Sequence, residues 1–296
     1  KIPESSGFTN QMMNQGRVTN EGLEIQGNFR VLERALSWSI DANISFNRNR
    51  IKDMPHDQFA TRLWYSADNA FIFRNDCPVG SIYGYVEDGF YDNEAEVRAN
   101  PDYANATDAT VKSMIGEVKY REGQHIIGNT NPDYTFGMTH NFSWKNLSFG
   151  FFLQGMVGND IFNGNLQNIT LSSPYNITRD AYKTRWTPEN REHAKWPKAS
   201  NQVKRTWLVS DRYVEDGSYL RLKNVNIGYT FNRPKFCKHI SSINIYASVT
   251  NLFTITGYSW YDPDVNAFGG DASRRGVDIY SYPTSRTFSF GVKVQF

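Results

Sequence analysis

The sequence predicts an all-β chain of antiparallel barrel strands joined by long loops, on three observations. Apolar and polar residues alternate with a period of two over seven short segments, the repeat of an extended chain with two unlike faces. The connections between those segments are short and very long by turns. No apolar run approaches the ~20 residues of a membrane-spanning helix, whereas the strands of a membrane barrel need only about ten, with half their side chains on a polar lumen. This combination favours a transmembrane barrel over a soluble sandwich, which has no physical reason to gather its long loops at one end. A soluble secreted carbohydrate-binding β-domain is the alternative that alternation alone leaves open.

The first strand shows Leu23, Ile25, Phe29 and Val31 on one parity, with Glu24, Gln26, Asn28 and Arg30 opposite. Its partner alternates Trp38, Ile40, Ala42, Ile44 and Phe46 with polar residues, and the hairpin turns over residues 32–37. From 48 to 134 the alternation stops, with a short helix expected near Asp92 and Ala99; connections this long are generally functional or carry small elements of their own. The second hairpin places Phe136, Met138, Phe142 and Trp144 before a turn at 145–146, and Leu147, Phe149, Phe151 and Leu153 after it. A second long stretch, 155–218, allows helical turns only near Asp180 and Thr184, because Pro188 and Pro197 limit them.

The next strand lies in YVEDGSYLRLKNVNIGYTF, where Val225, Ile227, Tyr229 and Phe231 alternate with Asn226, Gly228 and Thr230. Leu220 and Leu222 sit on the other parity, so the apolar face changes sides near Lys223 and Asn224. Either a bulge or a change of environment produces such a switch. The expectation is that it falls near the outer interface, with Leu220 and Leu222 turning toward neighbouring loops. After a connection at 232–242, Ile243, Ile245, Ala247 and Val249 form the sixth strand. A third long loop, 250–285, leads to Phe288, Phe290, Val292, Val294 and Phe296. Seven strands beginning in mid-loop do not close a barrel, so the remaining strands are expected before Lys1.

Composition removes several functions. With 32 basic and 30 acidic residues there is no basic face or stripe for nucleic acid. Two cysteines, Cys77 and Cys237, make neither a disulfide framework nor a zinc site, and the barrel topology puts them at opposite ends. Lys1 to Asn10 is no signal peptide, and KIPESSGF reads as the middle of a loop. The five histidines are scattered, and there is no nucleophile elbow or phosphate-cradling loop, so no catalytic residue and no cofactor emerge.

GRVTNEGLEIQGN, SIYGYVEDGFYDNEAEV, GEVKY, IIGNTNPDYTFGMTHNFSWKNLSFGFFLQGMVGNDIFN, RWTPEN, SDRYVEDGSYLRLKNVNIGYTF, TNLFTITGYSWYDPDV and SFGVKVQF occur in that order along the chain. In this order and spacing the chain resembles the C-terminal part of the SusC/RagA family, the TonB-dependent outer-membrane transporters of Bacteroidetes. The resemblance implies that 1–296 supplies the C-terminal strands of a 22-stranded transmembrane barrel with long extracellular loops, the plug and TonB box lying outside this chain. It implies active import of oligosaccharides or peptides in the outer membrane, no enzymatic activity, TonB and a SusD-like surface lipoprotein lid as partners, and a dimer of transporter–lid pairs. Relatives follow GEVKY-like residues with a loop resembling a calcium site; here Tyr120 is followed by REGQH, so no metal is carried over.

Asp262, Asp264 and Asn266 have the alternate spacing of a calcium loop without its glycine or distal glutamate, which makes them a structural loop around Pro263. Glu87, Asp88, Asp92, Glu94 and Glu96 read as a solvated loop or lid-contact surface. The candidate ligand- or lid-contacting residues are the loop aromatics Trp64, Tyr65, Tyr83, Tyr85, Phe90, Tyr91, Tyr258, Trp260 and Tyr261, since aromatic rings stack on sugars and anchor protein interfaces. The candidate lumen-facing residues are Asn43, Asn226, Lys293 and Gln295.

Overall fold

The structure, a computed structural model, describes residue 7 and residues 15–62, 69–170, 176–199, 208–234 and 239–296. Strands β1 (Arg17–Glu33) and β2 (Leu36–Lys52) form the first hairpin. The connection after it holds β3 (Gln58–Arg62), β4 (Asn69–Phe73), β5 (Ser81–Gly84), β6 (Glu87–Phe90), α1 (Glu94–Ala99), α2 (Asp108–Met114), β7 (Val118–Tyr120) and β8 (His125–Asn129). Next come β9 (Tyr134–Trp144), β10 (Leu147–Val157), β11 (Asp160–Asn163), α3 (Gly164–Thr170), α4 (Arg179–Thr184) and β12 (Val214–Asp216). The chain ends with β13 (Tyr219–Asn232), β14 (Ser242–Thr256), β15 (Val277–Asp278) and β16 (Thr287–Gln295).

One antiparallel sheet, in the order β1-β2-β9-β10-β13-β14-β16, contains all seven expected wall strands, each beside its neighbour in sequence. Its register keeps like with like. Ile25 faces Ile44, Phe142 faces Phe149, Ile227 faces Ala247 and Ile245 faces Val292, while Gln26 faces Asn43 and Asn226 faces Ser248. A one-residue slip would carry every apolar side chain to the polar face, so this pattern fixes the pairing.

The turn at 145–146 falls where the alternation puts it, and the first turn is tighter than predicted. β1 and β2 run to Glu33 and from Leu36, so the first turn is only Arg34 and Ala35, and Val31 is an extra residue between the Arg30 and Leu32 pairings. Lys145 takes φ 52° in the two-residue turn between β9 and β10, the left-handed conformation such hairpins require.

The parity switch in β13 is a bulge. Against β10, Phe152 pairs with Asn224 and Leu153 with Leu222, leaving Lys223 as the additional residue. Against β14, Asn251 and Leu252 stand opposite Lys223, with Asn251 at φ 53°. The expectation that Leu220 and Leu222 turn toward the loops is therefore corrected. They stay on the face of Val225 and Ile227, facing Ile255 and Phe253, and it is Arg221 that goes to the polar side.

The long connections all leave one end of the sheet and the short turns all lie at the other. The "irregular" stretches fold into a four-stranded sheet β3-β4-β5-β8, a two-stranded sheet β6-β7 and a three-stranded sheet β12-β11-β15. The short helix expected near Asp92 is α1, capped by Asn93, whose side chain accepts from the Glu96 N–H at 3.0 Å.

The burial is inverted relative to a water-soluble sheet. Large apolar residues of the wall are exposed, Phe290 at 82%, Val292 at 63% and Leu23 at 58% among them. The principal buried cluster is Ala70, Phe71, Ile82, Phe162, Val209, Tyr213, Val277 and Ile279, all from the long connections. A folded core thus sits at the loop end, while the wall carries an uncovered apolar face on one side and a polar one on the other.

Candidate functional site

That core comes from three connections that are distant in sequence. Phe71 and Ile82 belong to the first, Phe162, Val209 and Tyr213 to the second, and Val277 and Ile279 to the third. β11 carries the join in backbone form, pairing antiparallel with β12 and parallel with β15. Between the first and second connections, Tyr85 N–H donates to the Val209 carbonyl at 2.8 Å, and that carbonyl crowds the place where a Cβ on Gly84 would stand.

Polar side chains lock the same joins. Glu215 accepts from Asn163 Nδ2 at 2.7 Å and from the Ser259 N–H and hydroxyl, both at 2.8 Å. Tyr258 donates its hydroxyl to Asp278 at 2.7 Å, and burial with that bond drives the phenol's pKa far up. The Tyr280 N–H donates to Asn165 Oδ1 at 2.6 Å. Asn163 and Asn165 are fully buried, which explains why an asparagine-rich segment, GNDIFNGN, sits inside a folded unit.

A buried ion pair lies where wall and loops meet. Arg221, 1% exposed, pairs with Asp262, 6% exposed, and donates from Nε to Thr254 Oγ1 at 3.0 Å. Asp262 also accepts from the Thr284 hydroxyl and from the Asp264 N–H at 2.9 Å. Burial pushes its carboxyl up, but these hydrogen bonds and the guanidinium outweigh it and hold the group below the usual carboxylate range. The calcium-like spacing of this loop is spent on fastening it to β13. Among the described residues no group of three or more acidic, histidine or cysteine side chains is arranged to hold a metal.

The acidic run of the first connection is only in part the solvated surface expected of it. Glu87 is largely buried and accepts from Arg212 Nε at 2.7 Å and from Ser210. Its burial raises its pKa even with Arg212 beside it. Asp92 accepts from Trp186 Nε1 at 2.7 Å, and Glu96 returns the cap of α1. Asp88 and Glu94 remain exposed.

The candidate aromatics separate sharply. Tyr91 is fully buried, its hydroxyl accepting from Asn100 Nδ2 at 2.7 Å, and Tyr258 is buried against Asp278, so both are corrected from contact residues to internal packing. Tyr83 packs between Phe59 and Arg74, Tyr85 against Tyr120, and Phe90 beneath Arg212. Trp260 and Tyr261 form an edge-to-face pair at 5.2 Å, and Tyr261 is 72% exposed. Trp64 and Tyr65 lie outside the described residues, as does Cys237; Cys77 is a free, half-buried thiol at the loop end. Asn43, Asn226, Lys293 and Gln295 all fall on the polar face by register and are exposed.

Among the described residues, cavities accompany this arrangement. One of about 720 Å³ lies at the loop end of the polar face, where Arg17, Asn20 and Asn49 of the wall meet Asn131, Asp271 and Arg275 of the loops. Another of about 500 Å³, within the first connection, is bordered by Tyr85, Tyr120, Glu96 and Lys119. Sequence reasoning missed Asn49, Asn131, Arg221 and Arg275. Asn49 and Asn131 bond to each other at 3.1 Å across 82 positions, and no local signal marks such a pair.

A wall with an exposed apolar face, a polar face and a folded cap at one end defines a segment of a membrane β-barrel. Comparison with known proteins gives the family. The chain is 32% identical over its whole length to TonB-dependent receptor P3 of Formosa agariphila and 24% identical to TonB-dependent receptor SusC of Bacteroides thetaiotaomicron. It spans 30% and 28% of their respective lengths. Its fold matches the RagAB peptide importer in the "open-open" state with a TM-score of 0.72 and 20% identity, covering all of this chain and 30% of that one. The RagAB peptide transporter gives a TM-score of 0.71 at 22% identity. No family model matches the chain. This chain is part of a SusC/RagA-like TonB-dependent receptor. Its relatives bear the names of receptors and importers rather than of enzymes.

Proposed function

We propose that this chain supplies part of the barrel wall and the extracellular cap of an outer-membrane importer driven through TonB. The observation that carries the reading is the exposed apolar face of the seven-stranded sheet, which requires lipid, together with a buried core confined to the loops. A soluble carbohydrate-binding domain leaves that face without a cover. On this reading Asn43, Asn226, Lys293 and Gln295 face the lumen and the plug. The polar cavity beside Asn49 and Arg275 borders the cargo path, and Trp260 and Tyr261 belong to the surface under a SusD-like lid. The cargo is a peptide or an oligosaccharide too large for passive pores. The fold match to the RagAB peptide importer supports the first.

The test uses the full-length receptor with its lid. Phe290→Arg puts a charge on the apolar face at a cost of about 2 to 4 kcal/mol near the midplane and is expected to abolish assembly in the outer membrane. Ser289→Arg, one residue away on the other face, is expected to assemble and to retain TonB-dependent uptake of labelled cargo. Equal behaviour of the two variants, or a protein that stays monodisperse without detergent, overturns the wall assignment. Recovery of peptide or glycan with the purified complex identifies the cargo.

A further inference from the structure

The first hairpin changes character where its apolar face ends. By register, Trp38, Ile40, Ala42, Ile44 and Phe46 of β2 share one face, and the next residues on it are Arg48, Arg50 and Lys52. Asn47, Asn49 and Ile51 alternate to the other side, so the run NRNRIK sends each of its cations to the apolar-face side. Across the ladder stand Glu21, Thr19 and Arg17 of β1. Arg17 is neutralised by Asp53 at 2.7 Å. Glu21 is the single acid of this face within the two strands, so Arg48, Arg50 and Lys52 leave a positive balance. Arg48 and Arg50 are exposed, and among the described residues neither guanidinium has a hydrogen-bond or ion-pair partner.

The strand itself sets the level of these cations. From Leu36 to Phe46, β2 covers ~33 Å of strand and ~25 Å of height at a tilt of about 40°, the height of a membrane barrel's apolar band. The Phe46 ring meets Tyr134 at 5.7 Å, an aromatic pair at the rim of that band. Arg48 is two residues further and ~5 Å higher, while the headgroup layer of one leaflet is ~5 to 7 Å deep. Arg50 is ~10 Å higher, with that layer within the reach of its long side chain. The loops bind the opposite side of the hairpin. β9 stops pairing with β2 at Ser45, and Asn49 accepts from the Val79 N–H at 2.7 Å and donates to Asn131 at 3.1 Å. The cations therefore continue the lipid-facing surface upward into a layer whose anion is phosphate, which a guanidinium takes bidentately.

We propose that Arg48 and Arg50 bind the phosphate of lipopolysaccharide, the phosphorylated glycolipid of the outer-membrane leaflet on the loop side. The proposal rests on the membrane reading of the wall, and goes beyond it in naming a lipid and the two residues that hold it.

The test is retention of added lipid A by the purified full-length receptor, read by native mass spectrometry. Lipid A is compared with the same lipid stripped of phosphate by hydrofluoric acid. The native receptor is expected to retain the phosphorylated lipid about 5- to 30-fold better, the range one or two cationic contacts supply. Arg48→Gln combined with Arg50→Gln is expected to abolish that preference; Lys145→Gln, which removes a cation from the turn end, keeps it. Gel mobility before and after heating verifies that each variant forms its barrel. Equal retention of the two lipids by the native receptor overturns the contact while leaving the wall reading intact, as does a preference undiminished in the double variant or lost in Lys145→Gln. So does equally tight binding of inorganic phosphate, the mark of a site for soluble anions. A self-associated receptor that the double variant dissociates overturns it too, since a second copy then occupies the face. A receptor that needs no detergent overturns the wall reading as well.

Discussion

Arg221 and Asp262 show how much a single buried pair organises. The arginine enters through a strand whose bulge turns it to the polar side, and the aspartate arrives from the third long connection, so the pair fastens that connection to the wall. Removing one partner leaves the other charged and buried, a loss of about 3 to 5 kcal/mol. The hydrogen bonds that hold the Asp262 carboxyl below the ordinary carboxylate pKa set the pH window. Because the folded value lies below the unfolded one, the stabilisation is complete above the ordinary aspartate pKa of about 4 and is lost as pH falls through the folded value. Hydrogen–deuterium exchange of residues 258–285 in the full-length receptor is expected to remain slow from pH 7 down to about 4 and to accelerate below it. Asp262→Asn is expected to give fast exchange throughout, and an acid-insensitive segment in the native receptor refutes the role.

At the scale of elements, β13 carries the lesson about reading strands. All seven wall strands were legible because each is a period-two pattern with one apolar face, and the pairing of neighbours follows from the short turns. The sense of the parity change near Lys223 was not legible, because a bulge and a change of environment leave the same trace in sequence. The register distinguishes them: Lys223 is the inserted residue against β10, and the apolar face continues past it. Deleting Lys223 would drive Leu220 and Leu222 to the polar side and turn Arg221 away from Asp262, breaking a buried ion pair at a cost of about 3 to 5 kcal/mol. The deletion is expected to abolish outer-membrane assembly of the full-length receptor, measured by heat-modifiable gel mobility, whereas Lys223→Ala assembles normally. Equal assembly of the two variants would mean that the bulge is dispensable. The candidate site was less legible for the same kind of reason. Tyr91 and Tyr261 are both loop tyrosines in polar company, yet one is fully buried and the other 72% exposed, a difference created by partners such as Asn100 and Trp260 in the fold.

For the molecule as a whole, the consequence is that its two ends obey different solvents. The wall exposes Phe290, Val292 and Leu23, and on the membrane reading its apolar face is stabilised by lipid, while the cap is a water-facing unit with a core of its own. That core is shared: Tyr213 meets Phe162 edge-to-face at 6.2 Å, and the same cluster includes Phe71 of the first connection and Val277 of the third. A cavity at Tyr213 therefore loosens all three connections together, whereas the wall's backbone ladder belongs to a separate sheet. Tyr213→Ala is expected to cost the cap about 3 to 5 kcal/mol. In the full-length receptor, limited proteolysis is expected to cut the first, second and third long connections at similarly raised rates, with the heat-modifiable barrel retained. Faster cleavage of the second connection alone would show three loops that merely lie side by side. Joint release instead makes the cap one cooperative body, in which, on the proposed reading, a contact at Tyr261 is coupled through Ser259, Glu215, Asn163 and the shared core to the first connection.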